Sequence, residues 1–318
     1  MNAKRFSFAR GLWLALVFLP LCGAWAQERP RVLVVKSSHF AAYTSVVAGF
    51  SAEARAEVEE ITLPDGAAAQ KSAVEAAAKR KPALVLAIGP VAATSARRAF
   101  DDVPVIFTMV PYYERYGLEA QNVTGIALTN DLSVELETLA AVSPKSRRVG
   151  ILHDPRYSKA LVAEASKAAA KGGQTVVPLE VRGPDKVDRV LSAHKEKVDA
   201  LLMIADKTVA SAEVVRKLIT FSLDAGLPLV GLSAGQVKEG AMLSLSPSYT
   251  GSGQQAGRLA NRILHEKVDA GALAVAQPEV LDMAVNLGTA KRFGETCDVA
   301  LEIFKFAARR GYPIKVFE

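Results

Sequence analysis

The stretch Gly231-Leu232-Ser233-Ala234-Gly235 spells G-x-S-x-G directly after an apolar run, the setting in which a serine at a strand-to-helix turn becomes a hydrolase nucleophile. That chemistry also needs an acid and then a histidine to take the serine proton. The only histidine downstream is His265, inside the helical run Arg262-Ile263-Leu264-His265-Glu266, and Glu239 is too close to Ser233 in sequence to act as the acid. Hydrolysis through Ser233 is therefore the weakest reading, and Ser233 serves better as a strand-end hydrogen-bond donor to a ligand. Gly251-Ser252-Gly253-Gln254-Gln255-Ala256-Gly257 resembles a dinucleotide fingerprint. Its third glycine falls one residue late and it lies far from the first strand–helix unit, so it reads as a helix start whose glycines permit close packing. His39, His153, His194 and His265 are dispersed with no zinc-type spacing, and no Gly-Lys-Ser/Thr phosphate loop occurs. The expectation is a protein that is not an enzyme and holds no metal or cofactor.

What remains is a set of small, polar and aromatic residues just past apolar runs. In open α/β sheets ligands bind beyond the carboxyl ends of the strands, where helix N-termini present free N–H groups. The candidate ligand-binding residues there are Ser37, His39 and Tyr43, then Gly89, Pro90 and Thr94, then Met109, Val110 and Tyr112. Further along come Asp154, Tyr157 and Ser158, then Asp206 and Thr208, and finally Ser233. With three segments from each half of the chain, they would face one another across a cleft. Their donors, acceptors and tyrosines suit an amphipathic small molecule.

The elements that must position these residues follow a regular alternation of short β-branched runs and alanine-rich helical stretches, the pattern of βαβ units and a parallel sheet. Strands are predicted at 31–36, 84–88, 103–108, 148–153, 175–181, 200–204, 227–232, 241–245 and 281–286. Helices are predicted at 41–56, 68–80, 90–100, 131–143, 158–171, 185–196, 209–225, 251–266 and 288–309. Asp131 and Ser158 are placed as helix caps, Ser143-Pro144 as a stop, and Gly172-Gly173 as a left-handed close. One sheet of that many strands would be unusually wide, so two sheets are expected, built on blocks at about 30–125 and 146–246.

Residues 1–26 read as an export signal: Lys4, Arg5 and Arg10 precede the apolar run Gly11 to Cys22, and Ala24-Trp25-Ala26 offers small-x-small cleavage. A lipoprotein reading through Cys22 is weaker, because Leu21 stands where a lipid-attachment site wants a small residue. Cleavage removes three positive charges, so the formal net charge falls from +6 to +3. The remaining Lys and Arg are scattered among acids, which argues against nucleic acid. Cys297 then stands alone without a disulfide partner, and both tryptophans, Trp13 and Trp25, leave with the leader.

The order of segments resembles the bacterial ABC-transporter substrate-binding proteins related to tryptophan- and aromatic-amino-acid-binding proteins. The resemblance is carried by Pro104-Val105-Ile106-Phe107, Gly117-Leu118, Asn122-Val123-Thr124-Gly125-Ile126, Leu136-Glu137-Thr138-Leu139 and Arg148-Val149-Gly150-Ile151-Leu152. It continues through Val198-Asp199-Ala200-Leu201, Gly226-Leu227-Pro228-Leu229, Gly240-Ala241-Met242-Leu243-Ser244 and Asn286. It implies an α/β fold of two Rossmann-like lobes with parallel sheets flanked by helices, in type I periplasmic-binding architecture with hinge crossovers near 126, 248 and 280. Residues 30–126 plus about 250–280 would form lobe 1, and about 127–249 plus 281–318 lobe 2. The resemblance further implies a periplasmic monomer that captures a small organic ligand, such as an aromatic amino acid, for an inner-membrane ABC permease. Reporting to a membrane receptor or kinase is the alternative. Pro111-Tyr112-Tyr113-Glu114-Arg115-Tyr116 replaces a longer glycine-rich loop of the family, which leaves the ligand's identity open.

Overall fold

A computed structural model describes residues 29–129, 131–293 and 298–318. Residues 1–26, expected to be an export signal and including Cys22, and also Cys297 lie outside the described residues. The chain forms two sheets. The first comprises β1 (Arg31–Lys36), β2 (Glu57–Thr62), β3 (Leu84–Ile88), β4 (Val105–Thr108) and β5 (Val123–Gly125), in the order β2-β1-β3-β4-β5 with every pairing parallel. The second comprises β6 (Arg148–His153), β7 (Thr175–Glu180), β8 (Ala200–Leu202), β9 (Leu229–Gly231), β10 (Leu243–Pro247), β11 (Leu281–Asn286) and β12 (Ile314–Phe317), in the order β12-β11-β10-β9-β8-β6-β7. Here β11 runs antiparallel to β10, which corrects the expectation of purely parallel sheets. The reason is connectivity: β11 is reached from the other lobe by an extended segment, so no crossover helix forces it parallel.

Three strands escaped sequence reading: β5, whose three residues are too few to show a pattern, and two more. β2 is an edge strand of sequence Glu-Val-Glu-Glu-Ile-Thr whose charged residues hide the apolar alternation, and β12 is a short edge strand with only its ends half-buried. The helices are α1 (Ala41–Glu53), α2 (Ala67–Ala78), α3 (Pro90–Ala99), α4 (Leu132–Val142), α5 (Pro155–Lys171), α6 (Val187–His194), α7 (Ala212–Ala225), α8 (Ala234–Lys238), α9 (Tyr249–His265), α10 (Leu287–Phe293) and α11 (Asp298–Arg310). Asp131 caps α4 through the Ser133 N–H as expected. Ser158 does not cap α5. Asp154 does, with Pro155 supplying the preset first helical residue, while Ser158 sits in a non-helical kink at φ −134°.

Alternation along each strand fills both faces of each sheet. In β1, Val32 and Val34 join the core under α1 and α9, whereas Leu33 and Val35 join the core under α2 and α3. The second sheet likewise buries Val149 and Ile151 on the side of α4, α5 and α11, and Leu152 on the side of α6 and α7. The glycine-rich run 251–257 lies in α9, which presses against α1 so closely that a Cβ on Gly253 would stand 2.0 Å from the Val46 carbonyl oxygen. A Cβ on Gly49 would stand 2.1 Å from that of Thr250.

The chain passes between the sheets three times: after β5, between β10 and α9, and between residue 276 and β11. The passes lie side by side. Ala127 donates to the Ala276 carbonyl (2.9 Å), Ala276 to Gly125 (2.9 Å), and Ser248 to Val280 (3.0 Å). Among the described residues no helix is long and apolar enough to cross a membrane.

Candidate functional site

Each sheet has a point where strand order reverses. In the first, β1 is flanked by β2 and β3, and in the second β6 is flanked by β7 and β8, so the connections leave on opposite sides and open a crevice at the carboxyl ends. Of the residues singled out in the sequence, Ser37, Tyr43, Gly89, Pro90 and Thr94 lie by the first crevice and Asp154, Tyr157, Ser158, Asp206 and Thr208 by the second, whereas Met109, Val110 and Tyr112 follow β4 and Ser233 follows β9.

At the β1/β3 crevice, Gly89 is the N-cap of α3 at φ +90° and has no side chain with which to cap it. The cap comes from the neighbouring strand instead: Ser37 Oγ accepts from the Ala92 N–H at 2.9 Å. Tyr43, 8% exposed, hydrogen-bonds through its hydroxyl to Ser37, and burial pushes its pKa up against that bond. A Cβ on Gly89 would lie 2.3 Å from the Tyr43 hydroxyl oxygen and 2.6 Å from Ser37 Oγ, so glycine is required by both space and backbone angle. Pro90 is the first residue of α3. The Thr94 hydroxyl is turned back onto the Pro90 and Val91 carbonyls at 2.9 and 3.1 Å. Met109 and Val110 are buried in the lobe 1 cores. His39 is exposed on the β1–α1 loop, beside an exposed Phe40 whose ring meets Tyr43 edge-on at 5.5 Å.

At the β6/β8 crevice, Asp154, Ser158, Asp206 and Thr208 form one buried network. Asp154, fully buried, accepts from the Arg156 N–H (3.0 Å), Arg156 Nε (2.9 Å), Arg156 Nη2 (2.5 Å) and the Thr208 hydroxyl (2.9 Å). The bonded guanidinium is the first cause that holds its carboxyl far below the usual carboxylate range, against desolvation. Asp206, 1% exposed, accepts from the N–H groups of Asp154 (3.0 Å), Thr208 (2.8 Å) and Val209 (3.1 Å) and from the Ser158 hydroxyl. These carboxylates therefore organise the loops that follow β6 and β8. Tyr157 stands exposed at the rim with the Arg156 guanidinium 5.4 Å and the Lys207 ammonium 5.6 Å from its ring centre.

Ser233 lies at the end of β9 and caps α8, accepting from the Gln236 N–H at 3.4 Å. That role explains G-x-S-x-G without chemistry. His265 sits on the other lobe, at the end of α9, with Nε2 3.2 Å from the Arg55 carbonyl.

The two crevices belong to different lobes, and the loop after β4 of the first reaches the second through Tyr112, whose hydroxyl donates to the Ala205 carbonyl just past β8. Arg115 stacks on the Tyr112 ring at 4.6 Å. Sequence reading named Tyr112 and the segments carrying Arg115, Arg156 and Lys207 without giving those three a role, and missed Ala205. Only its position just past a predicted strand could have pointed to Ala205. A groove of about 760 Å³ between α4 and α5, and another of about 740 Å³ by Arg29 and Lys267, are lined by none of the strand-end residues.

His153, the last residue of β6, is 2% exposed with neither ring nitrogen hydrogen-bonded. Desolvation lowers its pKa, against the opposing pull of Glu180, Asp206 and Asp154. A histidine buried neutral binds fewer protons folded than unfolded, so its contribution is intact above the unfolded value of about 6.5 and is lost as pH falls through the lowered folded value. Denaturation followed from pH 7 to 5 should show stability falling by at most about 1.4 kcal/mol per pH unit from this residue. The substitution His153→Leu should flatten that slope. An unchanged slope would assign it elsewhere.

The fold and its paired crevices define a two-lobed binding protein of the type I periplasmic-binding architecture. The chain belongs to the ABC transporter substrate-binding protein family, whose description, "ABC transporter substrate binding protein", matches over residues 32–305. It is similar to the ligand-free, open structure of CD0873, a substrate binding protein with adhesive properties from Clostridium difficile, at 19% identity, covering 91% of this chain and 100% of that one with a TM-score of 0.71. It is also similar to the ABC domain from Streptococcus pneumonia in complex with L-Trp, at 19% identity over 83% of this chain and 94% of that one, TM-score 0.52. An ABC transporter solute binding protein from Bradyrhizobium sp. BTAi1 with bound bis-tris has 15% identity over 84% of each chain, TM-score 0.52. No curated protein sequence matches the chain.

Proposed function

We propose that this chain is exported, captures a small organic ligand between the carboxyl ends of its two sheets by hinge closure, and hands it intact to an ABC permease. An aromatic amino acid or a related compound is the ligand class we favour. The observation carrying this reading is that the carboxyl ends of the two sheets meet where Tyr112, on the loop after β4, donates to the Ala205 carbonyl just past β8. The three adjacent interlobe passes supply a bending axis that leaves each sheet rigid. Tyr43, Tyr112, Tyr157 and Phe40 supply aromatic surface, and backbone amides and serine hydroxyls supply fixed polar partners. The structure with L-Trp bound, from a protein of similar fold, adds support for the ligand class.

Cleavage after Ala26 would leave a protein without tryptophan, so binding is readable in tyrosine emission and in thermal shift. Titration with tryptophan, tyrosine and phenylalanine should saturate, adding about 2.7 kcal/mol of stability at a hundredfold excess over Kd. No shift with any of them, alongside a shift with a different metabolite in a broader screen, would replace the ligand class. No shift with any small molecule would remove the capture reading.

A further inference from the structure

The bond between Tyr112 and Ala205 spans the two lobes, and each end of it is fixed independently by its own lobe. On lobe 1 the presenting segment begins at Met109 and ends at Leu118. Met109 and Tyr112 both adopt left-handed backbone angles, φ +59° and +50°, which non-glycine residues hold only when their surroundings over-determine them. The surroundings do so: Met109, Val110 and Leu118 are buried in the lobe 1 cores, and the Tyr113 ring packs on Phe107 at 5.4 Å. Arg115, stacked on the Tyr112 ring, fixes its direction. On lobe 2, the Ala205 carbonyl sits between Ile204 and Asp206, both essentially buried, and Asp206 is clamped by four donors from 154, 158, 208 and 209. A mobile surface tyrosine meeting a mobile loop would lose side-chain and backbone entropy on forming this bond. Two preset partners lose little.

We propose that Tyr112 is a latch that biases the lobes toward closure in the absence of ligand, and that its bond to Ala205 persists when the ligand is captured. The backbone strain at 109 and 112 is what aims the hydroxyl across the gap. Ligand affinity then depends on a residue that need not touch the ligand, because the closed state is already partly populated before capture. The consequence for affinity rests on the capture reading above. The latch itself does not, and its test uses no ligand.

The test is small-angle scattering of the ligand-free protein, fitted as a two-state mixture, for the wild type, Tyr112→Phe and Tyr116→Phe. Loss of one hydrogen bond should shift the closed-to-open ratio about fivefold toward open in Tyr112→Phe. The radius of gyration should rise accordingly, while Tyr116→Phe, on the same loop, should match the wild type. Circular dichroism and thermal melting confirm that the variants are folded. Tyr112→Ala, which also removes the ring and the Arg115 stack, should open at least as far. Superposable curves for wild type and both Tyr112 variants would overturn the latch, as would a wild type already fully open. Either result would leave ligand capture to be decided by the titration.

Discussion

Replacing Gly253 with alanine should destabilise the protein by about 3 kcal/mol, although the same change at an exposed helical glycine stabilises by up to about 1 kcal/mol. The sign reversal comes from one contact. The new methyl would sit 2.0 Å from the Val46 carbonyl oxygen and 2.9 Å from the Phe50 N–H nitrogen, both backbone atoms of α1 that no rotamer change can move aside. Relief requires α1 and α9 to separate. That would open the core holding Val46, Phe50, Ala256 and Ala260, all inaccessible to solvent. Gly235, in α8, is the internal control: its added Cβ would meet only Ser233 Oγ at 3.6 Å, so Gly235→Ala should be neutral or mildly stabilising. Urea denaturation of the three proteins measures the contrast. Equal midpoints for Gly253→Ala and wild type would mean the helices are not packed this closely.

The substitution Asp206→Ala should cost about 4 kcal/mol, because it strands three backbone N–H groups and the Ser158 hydroxyl in a buried site. Asn should cost roughly half as much, since its single carbonyl oxygen can keep one pair of donors while its amide faces the other. The Ala variant should also interact with Tyr112→Phe: once the loop carrying Ala205 loosens, the latch has less to lose, and the two changes should shift the open fraction by less than their sum. A loss for Asp206→Ala below about 1 kcal/mol would mean that water replaces the carboxylate and the loop order comes from elsewhere.

Strand–helix alternation in the sequence was sufficient for two α/β sheets, because short continuous runs such as Leu84 to Ile88, closed by Gly89-Pro90, fit strands buried on both faces. It failed at β2, where glutamates occupy an exposed edge, and at β12, whose four residues have no periodic signal. It also set the start of α5 at Ser158 because the Asp154-Pro155 pair was read as loop, although aspartate followed by proline is a helix opening. The site was legible only as positions. Strand ends can be read from a hydrophobic run, but the network joining Asp154 to Asp206 spans 52 residues, and the Tyr112–Ala205 bond spans 93. Such pairs depend on strand order, which apolar patterning does not encode. Nor could the sequence show that Ser37 would supply a cap to a helix belonging to another strand.

The three interlobe passes mean that the order of synthesis is not the order of completion. When the ribosome has made the first five strands, α1 still lacks α9 and its glycine-lined groove is bare. The second sheet waits longer still, because its edge is closed by residues 314–317 after the chain has gone back to the first. Neither half can mature as an independent unit on a growing chain. A polypeptide of this design stays incompletely folded until residues 314–317 are in place, and removal of β12 leaves β11 as the open sheet edge.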